Sequence, residues 1–209
     1  MIRVLVTGCA GFIGFHLCEN LLKNKNIKVY GIDNLNSYYD VRLKRLRLKE
    51  LKKHKYSQRF QFIKGDITNK NFLSKEFKLN KFEFVINLAA QAGVRHSVDF
   101  PETYLESNVI GFFNILESCR KFKIKHLIFA STSSVYGDTK KYPNFEEDNT
   151  DKPQSFYAAT KKSNEIMAYS YSNIYKLPIT GLRFFTVYGP YGRPDMSLFK
   201  FSKLILQSK

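Results

Sequence analysis

Residues 2–24 run IRVLVT, then GCAG, then FIGFHLCENLLKN, and few folds accept that order. A short β-branched apolar run passes through closely spaced glycines straight into an apolar-periodic helix. The pattern then recurs. IKVYGID (27–33) precedes a basic helical stretch, FQFIKGD (60–66) precedes NKNFLSKEF (69–77), and FEFVINLAA (82–90) precedes a helical stretch from Glu102 to Phe122. HLIFAS (126–131) leads through a loop to a helix from Phe156 to Tyr175, and PITGLRFF (178–185) is the last clear strand. Near-continuous apolar strands alternating with helices imply a parallel sheet covered on both faces. Right-handed crossovers make such a sheet doubly wound, with ligands beyond the carboxyl ends of its strands.

Composition narrows the partners. The 209 residues carry a net charge of +16, and residues 42–59 hold nine Lys/Arg against the single acid Glu50. Leu43, Leu46, Leu48 and Leu51 interleave with those charges, so the stretch reads as an amphipathic surface helix with a solvated basic face, not as a nucleic-acid site. No apolar run approaches the roughly 18 residues of a membrane span, and the N-terminus lacks the features of a signal peptide. Cys9, Cys18 and Cys119 form no zinc spacing and no paired set; they read as small buried groups in a reducing, cytoplasmic setting. No metal site is expected.

The residues that follow the strands carry the chemistry. Gly8, Gly11 and Gly14 permit a tight turn and close approach of backbone to a diphosphate, while the helix start at Phe12 and Ile13 offers amide donors. This strand–glycine–helix context marks a dinucleotide-binding Rossmann fold. Asp33, at the end of the second strand and followed by Asn34, can accept hydrogen bonds from ribose hydroxyls and repels a 2′-phosphate, which selects NAD over NADP. The basic helix follows closely, so an arginine from it could still accommodate the phosphate. Asp66 and Ile67 end the third strand, where a carboxylate can reach the adenine amino group. Leu88, Ala89 and Ala90 end the fourth, with side chains small enough for backbone to lie along the cofactor.

Ser131, Thr132, Ser133 and Ser134 place four hydroxyls at the end of the fifth strand, and Tyr157 and Lys161 lie four residues apart on the next helix. Four-residue spacing puts both on one helical face, and an ammonium there lowers the phenol pKa toward that of a usable base.

In order, TGCAGFIG, GIDNLN, GDI, LAAQAGVR, STSSVYG, YAATK and RFFTVYGP resemble the extended short-chain dehydrogenase/reductases, the NAD-dependent epimerase/dehydratase family, over essentially the whole chain. DNLNSYYDVRLKRLRL, QAGVRHS and TGLRFFTVYGPYGRPDMSLFKF are most similar to its UDP-glucuronate 4-epimerases. The resemblance implies Tyr157 as base, Lys161 as orienter of the ribose, and Thr132 as partner of the sugar 4-hydroxyl, with Ser133 as second choice. It adds Asn108 to the cofactor contacts and Phe185, Thr186, Arg193 and Arg95 to the sugar side, where Thr186 and Arg193 would meet a C6 carboxylate. The implied reaction is transient oxidation at C4, interconverting UDP-glucuronate and UDP-galacturonate.

UDP-glucose/UDP-galactose epimerisation, dehydration or decarboxylation on the same fold, and a non-catalytic NAD-binding fragment are the alternatives. Dehydratases of the family carry an Asp–Glu pair where this chain has Ser133 and Ser134, and a serine does not replace a carboxylate acid/base at neutral pH. The resemblance also implies a homodimer through the helices around 102–122 and 156–175. It assigns residues 1–190 to the cofactor domain and 191–209 to the start of a substrate-binding region largely missing from this chain. On this reading the chain holds NAD but binds UDP-sugar poorly.

Overall fold

The structure, a computed structural model, describes residues 1–140 and 142–207. Six strands, β1 (Ile2–Thr7), β2 (Ile27–Asp33), β3 (Phe60–Lys64), β4 (Phe84–Asn87), β5 (His126–Thr132) and β6 (Ile179–Phe184), form one sheet in the order β3-β2-β1-β4-β5-β6. Every pairing is parallel, with Ile2 opposite Ile27 and Val4 opposite Phe84 fixing the central register. The chain winds outward from β1 to β3, then returns past β1 to start β4. Neighbouring crossovers therefore diverge between β1 and β4, the place where doubly wound sheets leave a crevice.

The apolar strands are buried because both faces are covered. On one face Val4, Val6 and Val29 pack under Phe15, Cys18 and Leu22 of α1 (Phe12–Leu22) and Leu48 and Leu51 of α2 (Val41–Lys53). On the other, Leu5, Ile32, Val85, Leu127 and Phe129 meet Leu73 and Phe77 of α3 (Lys70–Asn80) and further helices. Those further helices are α6 (Gly111–Lys121) and the 20-residue α7 (Phe156–Tyr175); the short α4 (His96–Asp99) and α5 (Pro101–Tyr104) precede them in the chain. A last helix, α8 (Ser197–Leu206), has no buried residue. Each fully buried Phe or Leu contributes about 1.5–3 kcal/mol relative to an exposed one. All three cysteines are free and buried. Among the described residues no helix is long and apolar enough to cross a membrane.

Three local expectations are revised. The helical stretch 102–122 is not uniform, because Leu105–Ile110 widens into a π-helical turn between α5 and α6. The fourth strand ends at Asn87, and residues 88–90 leave the ladder to line the crevice. The basic stretch is not one solvated face. Its helix stops at Lys53, and Lys44, Arg47 and Arg59 are buried, Arg47 to 0% exposure. Arg47 is tolerated there because its guanidinium donates to the carbonyls of Ala10 (2.8 Å) and Tyr191 (2.6 Å) and to the Tyr39 hydroxyl (2.6 Å).

Candidate active site

A cleft of about 950 Å³ opens along the carboxyl ends of the strands. Its first wall is the β1–α1 turn. Gly8 has φ +70°, and a Cβ there would lie 2.8 Å from the Ala89 amide nitrogen; a Cβ on Gly14 would fall 2.2 Å from the Gly8 carbonyl oxygen. Only glycine lets α1 sit this close to the strand end. The helix starts at Gly11 with no side-chain cap, so the first-turn amides are left for another acceptor. The cradle thus fits a diphosphate.

Thr7 was not singled out by sequence, yet it sets the crevice. Its hydroxyl donates to Asn87 Oδ1 (2.6 Å) and accepts from the Ala89 amide (3.1 Å), tying β1 to the segment Leu88, Ala89, Ala90. Asp33 is buried and accepts from the amides of Leu35 (2.8 Å) and Ala10 (3.1 Å), which clamps the glycine turn to β2. Burial raises its pKa, with the Leu35 amide and the Lys44 charge opposing. Asn34 donates to Asp66 (2.8 Å), which also accepts from the amide and hydroxyl of Thr68. Burial alone would raise the Asp66 pKa, but the bonds from Asn34 and Thr68 outweigh it and hold the carboxyl low. Of the basic residues of α2 only Lys44 lines the cleft, and its ammonium is spent on the Asn36 carbonyl (2.9 Å) and side chain (2.6 Å). No arginine of that helix lines the cleft.

The opposite wall is β5 and α7. Ser155 caps α7 by accepting from the Ala158 amide (3.1 Å), which places Tyr157 in the first turn and Lys161 one turn on. Both line the cleft with Thr132, Ser133 and Ser134. The four hydroxyls divide their work. Ser131 donates to Glu165 (2.5 Å), which Arg183 grips through two nitrogens (3.0 and 2.9 Å), fixing the end of β5 to α7 and β6. Thr132 accepts from the Ser134 amide (3.2 Å) and faces the Tyr157 hydroxyl.

Burial raises the Tyr157 pKa, while the Thr132 hydrogen bond and the Arg193 charge pull it down. Lys161 is buried, donates to the Ala130 carbonyl (2.9 Å), and has its pKa pushed down to about 8 by burial. Lys161 is turned to the strand carbonyl here, and the Arg193 charge is one of the influences that lower the phenol pKa. Asn108 does not line the cleft. It lies behind the wall, bonded to Gln91 through both its side-chain groups (2.8 and 3.0 Å) and to the Thr160 hydroxyl (3.1 Å), so it braces the β4 loop against α7.

On the remaining side Arg95, Phe185, Thr186 and Arg193 all line the cleft, and the first three are exposed. Arg193 is ion-paired: its Nε and Nη2 donate to Asp195 at 3.0 and 2.5 Å, and the Tyr38 hydroxyl donates to the same carboxylate at 3.2 Å. Sequence reasoning passed over Tyr38 and Asp195. The two-residue Arg-x-Asp spacing in GRPDM was the available signal.

Residues 5–209 match the family described as GDP-mannose 4,6 dehydratase. The chain is 54% identical over 207 residues to Protein CapI of Staphylococcus aureus, covering 99% of this chain and 60% of that protein. It is 49% identical over 209 residues to UDP-glucuronate 4-epimerase 4 of Arabidopsis thaliana, covering 100% of this chain and 47% of that protein. The solved UDP-glucuronic acid 4-epimerase from Bacillus cereus, in complex with UDP-glucuronic acid and NAD, superposes with a TM-score of 0.90 at 40% identity, covering 100% of this chain and 64% of that one. The chain thus spans less than two thirds of the relatives it matches. With the glycine cradle, the acidic strand ends and the tyrosine–lysine helix all in place, the chain belongs to the GDP-mannose 4,6-dehydratase family of NAD-dependent epimerases and dehydratases.

Proposed function

We propose that these residues form the NAD half and the acid/base centre of a UDP-sugar 4-epimerase whose substrate carries a C6 carboxylate, UDP-glucuronate or UDP-galacturonate. One observation carries the reading: Thr132, Tyr157 and Lys161 converge in a single cleft with serines, not carboxylates, at 133 and 134. NAD, when bound, would accept the C4 hydrogen with its electron pair and return it to the other face of the sugar. The glycine turn would hold its diphosphate, Asp33 its adenosine ribose and Asp66 its adenine.

Tyr157 moves the proton of the sugar 4-hydroxyl, and Thr132 orients that hydroxyl from the side. Loss of water is disfavoured because neither serine can move the required proton, and Asp195, the acidic group beside Arg193, is held in a two-point ion pair. Arg193 and Thr186 face the C6 end of the sugar. By itself the 209-residue chain holds NAD more firmly than UDP-sugar, since Phe185 and Thr186 are exposed. The exposed apolar residues Phe113 of α6 and Ile166 and Ile174 of α7 are read as the face of a homodimer.

The test supplies UDP-glucuronate and UDP-glucose in parallel to the longest natural protein carrying this chain, with products identified by NMR. Conversion of UDP-glucuronate to UDP-galacturonate is the expected result. A 4-keto-6-deoxy sugar, a pentose, or turnover of UDP-glucose alone would overturn the assignment.

A further inference from the structure

The loop that carries Arg193 is anchored on the cofactor wall. Arg47 donates to the Tyr191 carbonyl (2.6 Å), Phe15 meets the Tyr191 ring edge-on at 5.1 Å, and His16 Nε2 lies 2.9 Å from the Pro190 carbonyl. Within that loop Arg193 gives Nε and Nη2, two of the three N–H-bearing nitrogens of its fork, to Asp195. Asp195 is itself held by the Tyr38 hydroxyl, and the Arg193 guanidinium lies over the Tyr38 ring at 5.7 Å. The Tyr38 hydroxyl lies against Gly93, so close that a Cβ there would fall 2.4 Å from it.

We propose that Asp195 is a positioning residue that sets the charge preference of the sugar side. It fixes which edge of the Arg193 fork faces the cleft, and it cancels most of that residue's charge. A carboxylated sugar is then held by directed hydrogen bonds on the remaining edge and not by net positive charge. Tyr38 tunes the balance by donating to the carboxylate and so weakening its hold on Arg193. This inference rests on the functional reading above.

The test measures kcat and KM for UDP-glucuronate and UDP-glucose separately in Asp195→Asn, Asp195→Glu and Tyr38→Phe. Asp195→Asn keeps an acceptor but leaves Arg193 uncompensated, so KM for UDP-glucuronate falls about three- to tenfold while KM for UDP-glucose stays within about twofold. Asp195→Glu restores the charge and returns the ratio of the two KM values to that of the parent. Tyr38→Phe, which removes only one hydroxyl, shifts the ratio about twofold the other way and keeps the inference testable should Asp195→Asn fail to fold. Equal losses on both substrates in every variant would make Asp195 a purely structural brace and overturn the inference alone. A parent enzyme that does not convert UDP-glucuronate overturns the functional reading and takes this inference with it.

Discussion

β1 and β6 lie in one parallel sheet, yet their surroundings are opposite. From Val4 to Thr7 every residue of β1 is buried, with helices on both faces and strands on both sides. Among the described residues β6 pairs only with β5, its Thr180, Gly181 and Leu182 are exposed, and α8 beyond it leaves Phe201 at 62% and Ile205 at 74% exposure. The two walls of the cleft therefore differ in kind. The wall around the glycine turn is built by complete packing, whereas in this chain the wall carrying Phe185, Thr186 and Arg193 is a set of side chains presented from a lightly covered edge.

The strongest way to sharpen that contrast is Tyr157→Phe. On the proposed function, turnover of the longest natural protein carrying this chain falls by about 10²–10⁴-fold in a product assay while NAD stays bound, since the phenol would act in proton transfer and not in the packing of the glycine wall. Retained turnover would remove Tyr157 from the chemistry. Next in size is Phe15→Ala on the buried face of α1, which costs about 3–5 kcal/mol in urea unfolding. A loss below 1 kcal/mol there would show that the cofactor wall is not the rigid element.

A smaller effect comes from Lys161. Its folded pKa of about 8 lies below the roughly 10.4 of an unfolded lysine. Between these values the unfolded chain binds the extra proton, so stability rises with pH across that window, by about 1–3 kcal/mol. Thermal unfolding of Lys161→Met, compared with the parent from pH 8 to 10, is expected to lose that upward slope; an unchanged slope would mean that the ammonium is not buried at a cost. Smallest of all is Phe201→Ala in α8, expected within about 0.5 kcal/mol of the parent in the same urea assay. A large loss would show that α8 contributes to the fold and would break the comparison.

Much of this was legible in the sequence where local patterns decide the outcome. Short apolar runs marked the six strands of the described residues, and the glycine spacing marked the α1 turn because a side chain at Gly14 collides with backbone only six residues away. What stayed hidden depends on partners far along the chain. Arg47 sits in a run of lysines and arginines that look alike in sequence, and its burial is decided by carbonyls at positions 10 and 191. Asn108 falls in a helical pattern, but the π-helical turn around it aims its amide at Gln91 and Thr160 behind the cleft. The direction of the Lys161 ammonium is likewise fixed by the Ala130 carbonyl, which four-residue spacing alone does not reveal.

The central claim is that this chain by itself forms a complete NAD site. Titration of the purified 209-residue chain with NAD and with NADP, followed by calorimetry or by the quenching of its tyrosine emission, tests this directly. The account predicts saturable, stoichiometric binding of NAD and binding of NADP weaker by at least about tenfold, set by the buried Asp33 carboxylate. Absence of NAD binding, or equal affinity for the two nucleotides, would contradict it.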